Sequence, residues 1–92
     1  MGKVFLTGYL EVPPDRLEAV QQALPEHIAL TRAEPGCLSF SVTQSPEDPT
    51  HFLVSETFAD QAAFDAHQKR ASASAWANIT AGLARHYSIR TE

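Results

Sequence analysis

TRAEPGCLSFSVTQSPEDPTHFLVSETFADQAAFDAH, Thr31 to His67, passes through three kinds of chain in succession. "EPG" (Glu34 to Gly36) ends a helical pattern, because proline and glycine cannot continue it. "CLSFSVTQ" (Cys37 to Gln44) then alternates strictly, with Leu38, Phe40 and Val42 on one side, as a strand does. "SPEDPT" is a turn with two prolines, too long for a two-residue hairpin loop. "HFLVSETF" (His51 to Phe58) is a second strand, and Asp60 is placed to cap a helix that runs on through Ala63, Phe64 and His67. This stretch is therefore a hairpin followed at once by a helix.

Working upstream, "PPDRLEAVQQAL" predicts a helix with Asp15 as N-cap and Glu18 closing a capping box. Leu17, Val20, Leu24 and Ile28 make its buried stripe, and Pro25 inside that pattern predicts a kink. "KVFLTGYLEV" (Lys3 to Val12) predicts a strand apolar on both sides, with Val4, Leu6 and Leu10 on one face and Phe5, Thr7 and Tyr9 on the other. Downstream, "SASAWANITAGL" is a helical stretch with Trp76, Ile79 and Leu83 as its stripe, and "RHYSIRT" is a closing strand. The order β-α-β-β-α-β predicts an α+β, ferredoxin-like domain over 1–92: a four-stranded antiparallel sheet with two helices on one face. Two helices leave the other face uncovered, so a homodimer through the sheet face is expected.

Composition agrees with a small globular chain. Of 92 residues, 43% are hydrophobic and 20% charged, and one cysteine, Cys37, excludes an internal disulfide. A formal charge of −4 with seven scattered Lys and Arg offers no basic stripe, so neither nucleic acid nor an anionic membrane is an expected partner. With no long apolar run and no shape of a signal peptide at its start, the chain is expected in the cytoplasm.

His67 is the residue that packing does not explain. It follows Ala63 by four and Phe64 by three, so an imidazole points where leucine would be expected. It is either a base, since its ordinary pKa is about 6.5, or a half-buried histidine bonded to a carbonyl. Glu56 shares a strand face with Phe52, Val54 and Phe58. There it needs an ion pair, with Arg85 or Arg90, or serves as a proton acceptor beside His67. Trp76 is core, pocket wall, or both. Asp65 and His67 cannot share a metal, because residues two apart on a helix diverge, and His27 and His86 stand alone in the chain. No metal site is expected.

The features "EPG" before a strand, "DP" in the hairpin loop, Glu56 with an aromatic two residues later, and a helix running on to "AH" resemble the antibiotic biosynthesis monooxygenase family. The resemblance implies a dimeric α/β barrel whose second helix roofs a pocket, with His67 lining it. It implies a quinol- or polyphenol-type aromatic substrate, dioxygen, and no bound cofactor, with His67 as base and Glu56 orienting it. Trp76, Tyr9, Thr7 and Phe64 would shape the pocket, Tyr9 and Thr7 only if the odd-numbered face of the first strand meets the helices. Haem-degrading relatives are disfavoured, since Thr7, His67 and Trp76 stand where their asparagine, tryptophan and ligand histidine would be. An isomerase of a phosphorylated carbonyl compound, with Lys69 and Arg70 at the pocket mouth, and a non-catalytic binding protein are the alternatives.

Overall fold

The computed structural model describes residues 2–92. Its elements are β1 (Val4–Glu11), α1 (Leu17–Arg32), β2 (Cys37–Gln44), β3 (His51–Phe58), α2 (Gln61–Ser72), α3 (Ala75–Ile79) and β4 (Arg85–Thr91). The strands form one open antiparallel sheet in the order β2-β3-β1-β4, the order of a ferredoxin-like fold. No helix of the described residues is long and apolar enough to cross a membrane.

Register decides which face of β1 meets the helices. Leu6 lies opposite Glu56 and Leu10 opposite Phe52, and Val4, Leu6 and Leu10 are buried with Phe40, Val54 and Phe58 beneath the helices. The odd-numbered side chains therefore point away. Thr7 is exposed there, and the Tyr9 ring stacks between His51 and His86 at 4.3 and 4.5 Å. The expectation that Thr7 and Tyr9 floor the pocket is corrected. Fully apolar Val4, Leu6 and Leu10 gain more from burial than a set containing a hydroxyl and a phenol.

Three local expectations also change. A bulge between Cys37 and Ser39 swings Leu38 out of the core face, leaving it 53% exposed while Phe40 and Val42 stay buried. The start of α1 is a 3-10 turn, Pro14–Arg16, with no side-chain cap. Pro14, with its φ pre-set for a first turn, draws Asp15 into that turn and away from the extended geometry a cap needs. Beyond Ser72, where α2 ends, the stretch to Leu83 is helical only over Ala75–Ile79. Thr80 Oγ1 turns back to donate to Trp76 O at 2.8 Å, and Gly82 takes φ +78°. Trp76, Ile79 and Leu83 still pack against the core.

Asp60 caps α2 as expected, accepting from the Ala63 N–H at 2.8 Å. α1 packs over β2 and α2 over β3, while Arg16 donates to the Ile79 carbonyl and ties α3 to the start of α1. β4 is less covered: Ile89, on its helix-side face opposite Leu6, is 57% exposed. Over this strand the fold leaves room for a cavity.

Candidate active site

Gly36 brings the parts together. It follows α1 with φ +86°, and a Cβ there would stand 2.6 Å from the Ala63 Cβ, so its lack of a side chain lets α2 close on the α1–β2 connection. That contact carries Glu34 to α2. His67 Nδ1 lies 2.7 Å from Glu34 Oε1. An ionised carboxylate can only accept, so Nδ1 carries the proton and Nε2 is left as the free nitrogen of the neutral ring. Partial burial pushes Glu34 up, but hydrogen bonds from Arg70 and His67, with the Arg70 charge, outweigh it and hold the carboxyl below its ordinary range. Arg70 also donates to Thr31 Oγ1 at 3.0 Å and closes the group.

Nε2 faces Glu56, whose Oε1 is 3.9 Å away, beyond hydrogen-bond reach. Glu56 is 7% exposed, and Oε1 has no partner among the described residues. Burial, and to a lesser degree the Glu34 carboxylate, pushes Glu56 up to about 7. The expected ion pair with Arg85 or Arg90 does not form. Arg85 donates to Thr80 and Leu83 at 2.8 and 3.0 Å, and Arg90 lies over the Phe5 ring on the open face. Orientation of His67 also belongs to Glu34 and not to Glu56.

These groups border a cavity of about 300 Å³ over β4, lined by His27, Glu56, His67, Trp76, Arg85 and Tyr87 among others. Trp76 forms a wall, stacked on His27 at 4.6 Å and nearly parallel. Phe64 does not reach the cavity. It is buried edge-to-face on Phe58 at 5.8 Å, and Phe58 in turn stacks beneath His67 at 4.9 Å. Burial raises Tyr87 to about 12 despite the nearby Arg85 charge, so its phenol stays a hydrogen-bond donor. Of the residues singled out from the sequence, His67, Glu56 and Trp76 meet here, while Thr7, Tyr9 and Phe64 do not. Glu34, His27 and Tyr87 were missed. Glu34 was in view only as part of a helix-ending tripeptide, and His27 is distant from His67 in the chain although their rings are 6.3 Å apart. Among the described residues no three His, Cys, Asp or Glu side chains are grouped to hold a metal ion.

A carboxylate-held imidazole facing a walled cavity can take a proton from a bound hydroxyl. Comparison with known proteins bears on which reaction this serves. The antibiotic biosynthesis monooxygenase sequence model matches residues 4–79. A Nitrosomonas europaea protein provisionally described as an antibiotic biosynthesis monooxygenase superposes with TM-score 0.79 at 26% identity, over 99% of this chain and 88% of that one. A Pseudomonas aeruginosa protein gives TM-score 0.75 at 25% identity, over 100% and 93% of the two chains. An uncharacterised Synechocystis protein is 31% identical over 64 residues, which is 70% of this chain but 44% of that relative.

Proposed function

Because this chain belongs to the antibiotic biosynthesis monooxygenase family, we propose that it is a cytoplasmic oxidoreductase that hydroxylates a small quinol or polyphenol with dioxygen and no cofactor. The observation that carries the reading is Nε2 of His67, left free by the Glu34 bond to Nδ1 and turned toward a cavity walled by Trp76. Nε2 takes the proton of the substrate hydroxyl, and the resulting phenolate is far easier to oxidise than the phenol. The substrate supplies both electrons. One oxygen atom replaces a ring hydrogen as hydroxyl, the other leaves as water, and the quinol emerges as a hydroxyquinone. Glu56 next to Nε2 is half protonated near pH 7 and is suited to pass protons toward the reduced oxygen. The protein's share is positioning, proton movement and exclusion of water.

The isomerase alternative draws less support, because Arg70 is held by Glu34 and Thr31 and is not free for a phosphate. The test is dioxygen consumption with 2-methyl-1,4-naphthalenediol and 2,3-dihydroxynaphthalene as substrates. His67→Ala is expected to lower the rate ~10²- to 10⁴-fold when assayed well below its melting temperature, which the lost packing on Phe58 and the lost bond to Glu34 also lower. Product formation undiminished without oxygen, or a His67→Ala rate equal to the wild type's, would overturn the reading. Ligand binding without turnover by the wild type would leave a binding protein. We also propose that two copies pair through the open sheet face, where Phe5, Tyr9 and the 43% exposed Leu53 lie among serines and threonines.

A further inference from the structure

His27 has no part in the chemistry just described, yet it is the more unusual histidine. It is 6% exposed, and its Nδ1 is shut from solvent without a hydrogen-bond partner among the described residues. Buried polar atoms are rarely left so, and at Nδ1 the ring is held by its stack on Trp76 rather than by a hydrogen bond. The ring lies where two cavities meet. It lines the His67 cavity and also a second one of about 230 Å³ between α1 and α3, and the stacked His27–Trp76 pair is common to both. Burial, with the nearby Arg70 charge, lowers His27 to about 4, so the ring is neutral at physiological pH and can both donate and accept.

We propose that His27 is a ligand-binding residue, and that its imidazole hydrogen-bonds a second hydroxyl of an aromatic ligand whose first hydroxyl meets Nε2 of His67. The two ring centroids are 6.3 Å apart with planes tilted by 43°. That separation is too small for an aromatic ring to lie between the two imidazoles, but both line the same cavity, so a ligand in it meets them with its edge. An edge bearing oxygens on neighbouring carbons reaches both histidines at once, with the unpartnered Glu56 Oε1 beside them. The site is thereby assigned to ortho-dihydroxy aromatics, with Trp76 as the wall beside the ring. The assignment narrows the substrate class of the oxygenase reading and rests on it for the role of His67, but it concerns binding and is tested without turnover.

The experiment is calorimetric titration of the wild-type protein with 2,3-dihydroxynaphthalene and with 2-naphthol under argon. The diol is expected to bind at least tenfold more tightly. In His27→Phe, which keeps the stack on Trp76 and removes both nitrogens, that preference should fall to near unity. 2-Naphthol affinity should hold, and the free variant should melt no lower than the wild type because an unpartnered polar atom has gone. Should the phenylalanine not be accommodated, His27→Leu carries the same expectation. Equal affinity of the wild type for both probes, binding of neither, or a preference that survives in the variant would overturn the proposal. A preference lost with His27, together with no dioxygen consumption, would keep the proposal and remove the oxygenase reading instead.

Discussion

An imidazole acts as a base only through whichever ring nitrogen is free, and at His67 that choice is made by Glu34, which accepts from Nδ1 at 2.7 Å. Glu34→Gln keeps the length and an acceptor oxygen but loses the charge that fixes the tautomer and holds Arg70. It is expected to lower kcat roughly 10²-fold with a smaller change in KM, read from steady-state rates. A second prediction concerns the two buried groups whose titrations oppose each other. Glu56 is raised to about 7 in the folded protein from an ordinary 4.5, so its contribution to stability is fullest below pH 4.5 and is lost as pH rises to about 7. His27 is lowered to about 4 from 6.5, so its contribution is full above pH 6.5 and is lost as pH falls toward 4. Between those limits the two slopes partly cancel. In Glu56→Gln the melting temperature should fall more steeply on acidification from pH 6.5 to 4, and at pH 8 it should exceed the wild type's by several degrees, which corresponds to about 1 kcal/mol. A Glu56→Gln profile parallel to the wild type's would show that Glu56 titrates as an ordinary carboxylate. His67 was legible because it broke an apolar stripe. Glu34 was not, because its contact spans 33 residues of chain and no local period reports such a partner.

At the scale of elements, the strands were legible almost to their ends, since period-two alternation is imposed by the pleat and interrupted by proline and glycine. The predicted bounds of β2, β3 and β4 are the observed ones, and β1 is one residue shorter at each end. What failed were details set by competition between neighbours. Pro14 outcompeted Asp15 for the start of the first turn, a bulge at Leu38 broke an alternation perfect in sequence, and Ser74 and Thr80 hydroxyls bonded back to the backbone and shortened α3. The connection between α1 and β2 matters most for function. Gly36→Ala would need φ +86° with a side chain, and would push its Cβ to 2.6 Å from that of Ala63. A loss of about 2 kcal/mol or more is expected from the strain and the displaced packing. Because the same connection delivers Glu34 to His67, turnover should fall beyond what the unfolded fraction explains. Denaturant melts paired with rates at 10 °C would separate the two effects, and a variant as stable and active as the wild type would refute the role given to Gly36.

For the whole molecule, the sheet divides two tasks: its helix side carries the cavity, and its other side is free to pair. Which side of β1 did which could not be read from β1 alone, because both of its faces are apolar. The choice emerges only from pairing with β3, which sets Leu6 against Glu56 and Tyr9 against Leu53. The open face has a definite size. Strands of seven or eight residues at roughly 3.3 Å per residue, four abreast at about 4.8 Å, span on the order of 500 Å² of flat area. Two such faces together bury roughly the 1,000 Å² at which a specific interface becomes stable, so the dimer is expected to be reversible rather than permanent. Light scattering should therefore give twice the chain mass at high micromolar concentration and fall toward the single-chain mass on dilution. Leu53→Lys places a charge at the centre of the face, on an interior strand, and should shift the protein to the monomer without altering its circular dichroism. Since Leu53 points away from His67, the monomeric variant should still bind 2,3-dihydroxynaphthalene within a few-fold of wild-type affinity. A single-chain mass for the wild type at every concentration would refute pairing through this face. A dimeric Leu53→Lys protein would place the interface elsewhere, and loss of binding along with loss of the dimer would mean that the partner copy helps to form the cavity.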